Sequence, residues 1–297
     1  MKRILYIFFI AVACLSACED SRRPNDSSVA PPIKDNPKEE TEKEDPENED
    51  PAQQGQSEKL PAVQPANPEG MPKMLGTRTK YNVDVEELSG ICFTSDSTAL
   101  WSCGDQGVVK KISLSSYRAT GVWTRDADME DITIDPNTGH IYIALEYSQK
   151  VYKLSAPGYN NHETIFYVQE AIDKGYDNSG LEGISYYKDD MLFIGSQWGA
   201  NLWIYKFDGT LISKVSLSEF ADEIAGLCYD PVGDWLWVVD SNLSKAYICT
   251  VDGDHLATYN LGSISNAESI CVDRKNNCVW IGSDESSSKL YKYDFQF

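Results

Sequence analysis

The sequence predicts an all-β domain, a five-bladed β-propeller closed by an N-terminal strand. Three observations carry this. Five segments repeat one layout: a polar turn, a strand, a hairpin, a second strand and, after a gap, a third. Their leading positions are 89, 130, 182, 225 and 268, with spacings of 41, 52, 43 and 43 residues, the period of a four-stranded blade. The apolar residues come in short runs bounded by turn residues, with no helical periodicity. A β-sandwich does not explain so regular a repeat.

The first strands are Ser89–Phe93, Glu130–Ile134, Glu182–Tyr186, Ala225–Tyr229 and Glu268–Val272. The second strands run over Leu100–Cys103, Ile141–Leu145, Met191–Gly195, Trp235–Val239 and Val279–Gly282. The hairpins between them carry turn residues, as in Asp135-Pro136-Asn137-Thr138-Gly139 and Asp230-Pro231-Val232-Gly233-Asp234. Third strands centre on Val108-Val109, Val151-Tyr152, Leu202-Trp203, Ala246-Tyr247 and Leu290-Tyr291. Fourth strands are expected at Ala119–Thr124, Ile165–Gln169, Thr210–Ser216 and Leu256–Leu261. The one long interval holds an insertion, Gly158–Gly180. The last blade reaches Phe297 with three strands, and Lys80–Val85 is expected to supply its fourth, closing the ring and removing its edges. A sixth blade would need about forty more residues.

Ahead of the domain, Met1-Lys2-Arg3 is a positive n-region followed by an apolar run from Ile4 to Cys14, the length of a signal-peptide core and too short to span a bilayer. Leu15-Ser16-Ala17-Cys18 then resembles the bacterial lipobox. That resemblance implies a signal peptide over 1–17, cleavage before Cys18 and acylation of Cys18, which would hold the protein to a lipid membrane in the bacterial cell envelope. The outer membrane is expected, with either the periplasmic or the surface face open. Residues 18–78 read as a disordered tether: Glu19–Leu60 carries 13 Asp or Glu against six Lys or Arg, many Pro, Asn, Ser and Gln, and almost nothing apolar. The propeller domain is expected over 79–297, long enough for one sizeable core.

The net charge of −20 and the lack of a basic stripe argue against nucleic acid as a partner and are compatible with cation binding. Six of the eight cysteines fall in the propeller. Cys92, Cys228 and Cys271 share a repeat column with Thr133 and Ser185, and Cys103 shares one with Ala144, Gly195 and Gly282. These are places for small side chains, so free buried thiols are expected, with a Cys92–Cys271 bridge between neighbouring blades as the alternative. No CxxC pair supports a zinc or thioredoxin-type site.

Two polar columns recur. The first opens the first strand: Ser89, Glu130, Glu182, Ala225, Glu268. The second closes the second strand: Asp105, Glu146, Gln197, Asp240, Asp284. They lie 15 or 16 residues apart, one hairpin length, so both are expected at one mouth of the central channel. Glu87, Asp128 and Glu223 stand two residues before the first column. Carboxylates converging there must either take up protons or hold a cation. Oxygen donors without histidine suit Ca2+ and not zinc, copper or iron. Glu130, Glu146, Glu182, Gln197 and Glu268 are the candidate ligands. The alternative is that these residues bond backbone N–H groups in the blade turns.

The ordered set ELSGI (87–91), MEDI (129–132), GLEGI (180–184), EIAGL (223–227) and AESI (267–270), with strands such as LWVVD (236–240), resembles the SdiA-regulated family of bacterial β-propellers, distant relatives of NHL-repeat proteins. The resemblance covers the propeller and not the tether. It implies five blades and bound calcium, and brings no settled activity.

Two function classes follow. One is a non-catalytic, calcium-binding scaffold for a protein or carbohydrate ligand, with Trp198, Tyr159 and Tyr176 as aromatic contacts near the insertion. The other is a calcium-dependent hydrolase. Glu130 and Glu146 with the hairpin between them look like the calcium-liganding hairpin of β-propeller phytases, and Arg125, Lys150 and Lys245 are the nearest cations by sequence. A lactonase would want a channel histidine, and His140, His162 and His255 are in neither column.

Overall fold

The structure, a computed structural model, describes residues 70–297 apart from Asp177 and Ser286. The signal peptide, Cys18 and the tether as far as residue 69 lie outside the described residues. Twenty strands form five four-stranded antiparallel sheets, and each sheet is one blade.

The first blade is β2 (Leu88–Phe93), β3 (Ala99–Gly104), β4 (Val108–Ser113) and β5 (Ala119–Thr124). The second is β6 (Met129–Ile134), β7 (Ile141–Leu145), β8 (Lys150–Leu154) and β9 (His162–Tyr167). The third is β10 (Leu181–Tyr186), β11 (Met191–Ser196), β12 (Asn201–Lys206) and β13 (Leu211–Ser216). The fourth is β14 (Gly226–Asp230), β15 (Trp235–Asp240), β16 (Lys245–Thr250) and β17 (His255–Asn260). The last joins β18 (Ala267–Asp273), β19 (Cys278–Ser283) and β20 (Lys289–Gln296) to the N-terminal β1 (Met74–Asn82), which pairs along β20.

Three elements depart from the sequence reading. The closing strand starts at Met74 and ends at Asn82, upstream of the expected Lys80–Val85. Val83 and Val85 alternate like strand residues, but they leave the ladder to pack in the core beside Leu88 and Trp280. The outer strand β9 begins at His162 rather than Ile165. Its His162-Glu163-Thr164 opening lies on the rim, where no apolar alternation is required, so it carries no strand signal. The insertion also holds a short helix, α1 (Gln169–Lys174), which buries Ala171 against Val168 and Tyr176. Glu170 accepts a hydrogen bond from Trp203 Nε1 at 3.1 Å and pairs with Lys174 and Lys214. At one turn and a half, α1 is held by these contacts and not by its own propensity.

The apolar core is divided into five clusters, each between two neighbouring blades. The second strands lie between blades on both faces and are buried along their length, as in β3, β11, β15 and β19. This explains their continuous apolar runs. Opposite each small residue of a first strand stands an aromatic of the second: Cys92 with Trp101, Thr133 with Tyr142, Ser185 with Phe193, Cys228 with Trp237 and Cys271 with Trp280. The small column also ties blades together. Thr133 Oγ1 accepts from Tyr186 N–H at 2.9 Å, and Ser185 Oγ from Tyr229 N–H at 2.8 Å. All six cysteines of the ring are free.

First strands crowd around the axis. A Cβ on Gly90 would stand 2.6 Å from Asp131 Cα, and one on Gly226 would stand 2.5 Å from the Glu268 carbonyl oxygen. Neither gap admits a side chain without moving backbone.

Candidate metal centre at the channel mouth

The acidic side chains are aimed by a repeated irregularity of the backbone. In four blades the pairing of first and second strands slips at the first-column position. The register shifts fall between Leu88 and Gly90, Met129 and Asp131, Leu181 and Ile184, and Ala267 and Ser269. Ser89, Glu130, Glu182 and Glu268 are thus bulge residues, and a bulge re-aims the side chain it carries. The fourth blade has Ala225 at this position and pairs regularly from Gly226. Each bulge lies beside the end of the second strand, so the two columns share one end of every blade, as the hairpin spacing requires.

Asp105, Asp128 and Glu130 bring one carboxylate oxygen each within 4.8 Å of one another. Ser89 Oγ donates to Asp105 Oδ1 at 2.5 Å. Glu130 is buried, and burial, followed by the charges of Asp105, Asp128 and Glu146, pushes its carboxyl up to about 10. Glu182 is buried beside it. Desolvation, then Glu130, Glu146 and Glu268, holds its carboxyl well above the ordinary range. Glu146 shares a hydrogen bond with Glu182, and burial raises it to about 6 although Gly180 N–H donates to its Oε1 at 3.2 Å. Glu268 is raised to about 7 by burial and Glu223, opposed by a 3.3 Å bond from Ser241 Oγ. Asp284 is raised to about 6, chiefly by burial and then by Asp105.

Of the five sequence-derived candidates, Glu130, Glu146 and Glu182 form one interacting group. Glu268 joins it electrostatically through Glu182. Gln197 follows β11, with its backbone N–H bonded to Gly180 O at 2.9 Å and no hydrogen bond from its side chain among the described residues. Asp105 and Asp128, noted by spacing but not chosen as ligands, form with Glu130 the tightest oxygen cluster. The fourth blade follows the alternative reading. Asp240 accepts from Leu243 and Asp222 N–H at 2.8 Å each, and Glu223 accepts from Asn242 backbone and side chain at 2.9 and 2.6 Å. Those two carboxylates brace a turn.

Beneath the mouth, Asp131 closes the axis. Its side chain is 1 % exposed and accepts N–H bonds from Ile132 at 2.8 Å, from Ile184 of the third blade at 2.9 Å and from Leu227 of the fourth at 3.3 Å. None of the ion pairs among the described residues reaches the acidic cluster. Arg125 and Lys150 meet Tyr152 and His162 instead. Of the expected aromatic contacts, Trp198 is 58 % exposed, while Tyr176 is buried and bonded to Asn201, and Tyr159 packs on Trp101 and bonds the Gly139 carbonyl.

No curated protein matches this chain in sequence. Among solved structures, the glutaminyl cyclase of Myxococcus xanthus aligns at a TM-score of 0.58 and 15 % identity, covering 76 % of this chain and 99 % of that one. A chain of the nidogen/laminin complex aligns at 0.46 and 15 % identity, covering 66 % of this chain and 75 % of that one. At such identity the cyclase likeness speaks for the fold alone. Residues 199–296 match the model of the SdiA-regulated family, and that match, together with the five-bladed ring, fits the SdiA-regulated β-propeller that the first strands of the five blades resemble.

Proposed function

We propose that this protein is a non-catalytic binding module of the bacterial cell envelope, tethered through acylated Cys18 and holding Ca2+ at the acidic mouth of its propeller. One observation carries the calcium reading: Glu130, Glu146 and Glu182 are buried together, without a basic partner among the described residues, and their carboxyls are driven upward by burial first and then by neighbouring carboxylates. Such a group is at rest either protonated or around a cation. The donors are carboxylate, amide and hydroxyl oxygens, the set that Ca2+ takes. Glu130, Asp105 and Asp128 would form the centre of the site, with Glu146 and Glu182 beside them and Gln197 and Glu268 at its margin.

Thermal unfolding of the purified protein tests this. Ca2+ at about a hundred times its Kd adds about 2.7 kcal/mol, which for a domain of this size raises Tm by roughly 5–10 °C. The Glu130→Gln/Glu182→Gln double variant loses that rise. A melting curve that is the same with Ca2+ and with chelator overturns the ion site.

The calcium-dependent hydrolase remains a defined competitor because Glu146 and Glu268 have carboxyls near neutrality, as a general acid or base requires. Against phytase-like chemistry, Arg125 and Lys150 turn to the Tyr152 and His162 rings on the blade flank. Release of phosphate from phytate by the calcium-loaded protein would replace the binding-module reading with the enzymatic one.

A further inference from the structure

On the flank between the first two blades, three basic side chains meet over an aromatic wall in a chain with 46 acidic residues against 26 Lys and Arg. Arg125 follows β5, Lys150 opens β8 and His162 opens β9. Arg125 Nη1 lies 2.7 Å from His162 Nε2. A guanidinium has no acceptor, so the imidazole accepts there and is neutral, with its proton on Nδ1. The Arg125 guanidinium also sits 5.7 Å from the Tyr152 ring centre, and Lys150 Nζ lies 4.9 Å from the same ring and 6.0 Å from that of Tyr167. Trp123 packs on the His162 ring at 5.2 Å, and Tyr152 at 5.1 Å.

Neither Arg125 nor Lys150 has a carboxylate within 4.0 Å among the described residues. Among the described residues, Arg125 gives one of its five N–H donors to His162, and Lys150 gives none of its three to an oxygen acceptor. The aromatic faces hold both cations in place by cation–π attraction, which fixes their position without neutralising them. The result is a pre-positioned pair of positive groups with free donors, flanked by Tyr167, which is 52 % exposed.

We propose that Arg125, Lys150 and His162 form a binding subsite for an oxyanion, the carboxylate of an acidic sugar or a phosphate group. The guanidinium offers its remaining donors to two oxygens of the anion, Lys150 supplies a point charge, and the exposed Tyr167 ring gives an apolar face to the ligand beside it. This subsite does not depend on calcium at the channel mouth and stands or falls separately from it.

The chain has only three histidines, so the ring signals of His162 can be followed by NMR. Sodium phosphate and sodium glucuronate are titrated into the full chain, with glucose and sodium chloride as controls at matched concentration and ionic strength. A saturable shift of the His162 ring signals with phosphate or glucuronate, absent with both controls, is the expected result. Saturation by glucuronate alone identifies a carboxylated sugar, and saturation by phosphate alone a phosphate group. Arg125→Gln and Lys150→Gln each weaken binding by about tenfold or more. Lys245→Gln, at the equivalent start of β16 in the fourth blade, leaves it unchanged. The proposal is overturned if neither anion moves these signals, if chloride moves them equally, or if both subsite variants bind as the parent does.

Discussion

Asp131 stands where Gly90, Gly183 and Gly226 stand in three other blades, and it fills the space their missing side chains leave around the axis. Its carboxyl collects N–H groups from three blades, so it is a cross-brace that adds to the ties made by the Thr133 and Ser185 hydroxyls between the same first strands. Removing it leaves the Ile184 and Leu227 N–H groups buried without an acceptor. Burial holds the Asp131 carboxyl well above the ordinary range against the pull of these N–H groups, so the cost of its loss lies in the two buried donors left behind, each about 1–3 kcal/mol. Asp131→Ala is therefore expected to lower stability by about 3–5 kcal/mol, read as a fall in the urea midpoint without change in slope. Asp131→Asn keeps one acceptor oxygen and should fall in between. A parent-like midpoint for Asp131→Ala would show that the axis closes without it. This role could not be read from the sequence: Asp131 is adjacent to Glu130 in MEDI and shares its chemistry. Only the bulge at Glu130 separates the two, sending one to the mouth and the other across the axis.

At the scale of strands and turns, legibility followed burial. Second strands are buried on both faces, and the sequence shows them as unbroken apolar runs such as Trp235-Leu236-Trp237-Val238-Val239. First strands show themselves through the small column of Cys92, Thr133, Ser185, Cys228 and Cys271, because backbone crowding excludes anything larger. Outer strands have one face in water and need no pattern, which is why the sequence places β9 and β1 a few residues from where they lie. The candidate site was legible where hairpin length alone sets position. It was not legible where backbone register decides, since a bulge has no composition of its own at Ser89, Glu130, Glu182 or Glu268. The closing strand leads to a direct test. Without β1, the edge of β20 is left with unpaired backbone groups and the last blade loses an outer layer. A chain beginning at Val83 is expected to lose about 3 kcal/mol or more, a drop in Tm of roughly 6–12 °C, and to self-associate on size exclusion. A monomer with parent-like Tm would mean that three strands close the ring.

For the molecule as a whole, the acidic mouth links stability to pH, and the direction follows from the folded-state shifts. Glu130 rises to about 10, Glu268 to about 7 and Glu146 to about 6 from an ordinary 4.5. A carboxyl raised on folding binds its proton more tightly in the folded chain. Its contribution is complete below about pH 4.5 and is lost as pH rises through the folded value. Between pH 5 and 8 the metal-free ring should therefore lose stability steadily. Asp96 and Glu170, both lowered to about 2, act in the opposite sense only below that window, where they begin to protonate in the unfolded chain. His162, lowered by burial and by Arg125 and Lys150, opposes the trend across its own titration, but it is one weakly buried ring against several deeply buried carboxyls. Calcium at the proposed site should reverse the slope, because the ion would replace the protons that the cluster gives up. The Tm of metal-stripped protein is expected to fall from pH 5 to pH 8, while the gain on adding Ca2+ grows over the same interval. In Glu130→Gln/Glu182→Gln both dependences are expected to flatten together, since the proposed site uses the same carboxyls for proton and ion. A metal-free Tm that climbs from pH 5 to pH 8 would show that the mouth is ionised without a cation, and a calcium gain independent of pH would place the ion on other oxygens than these.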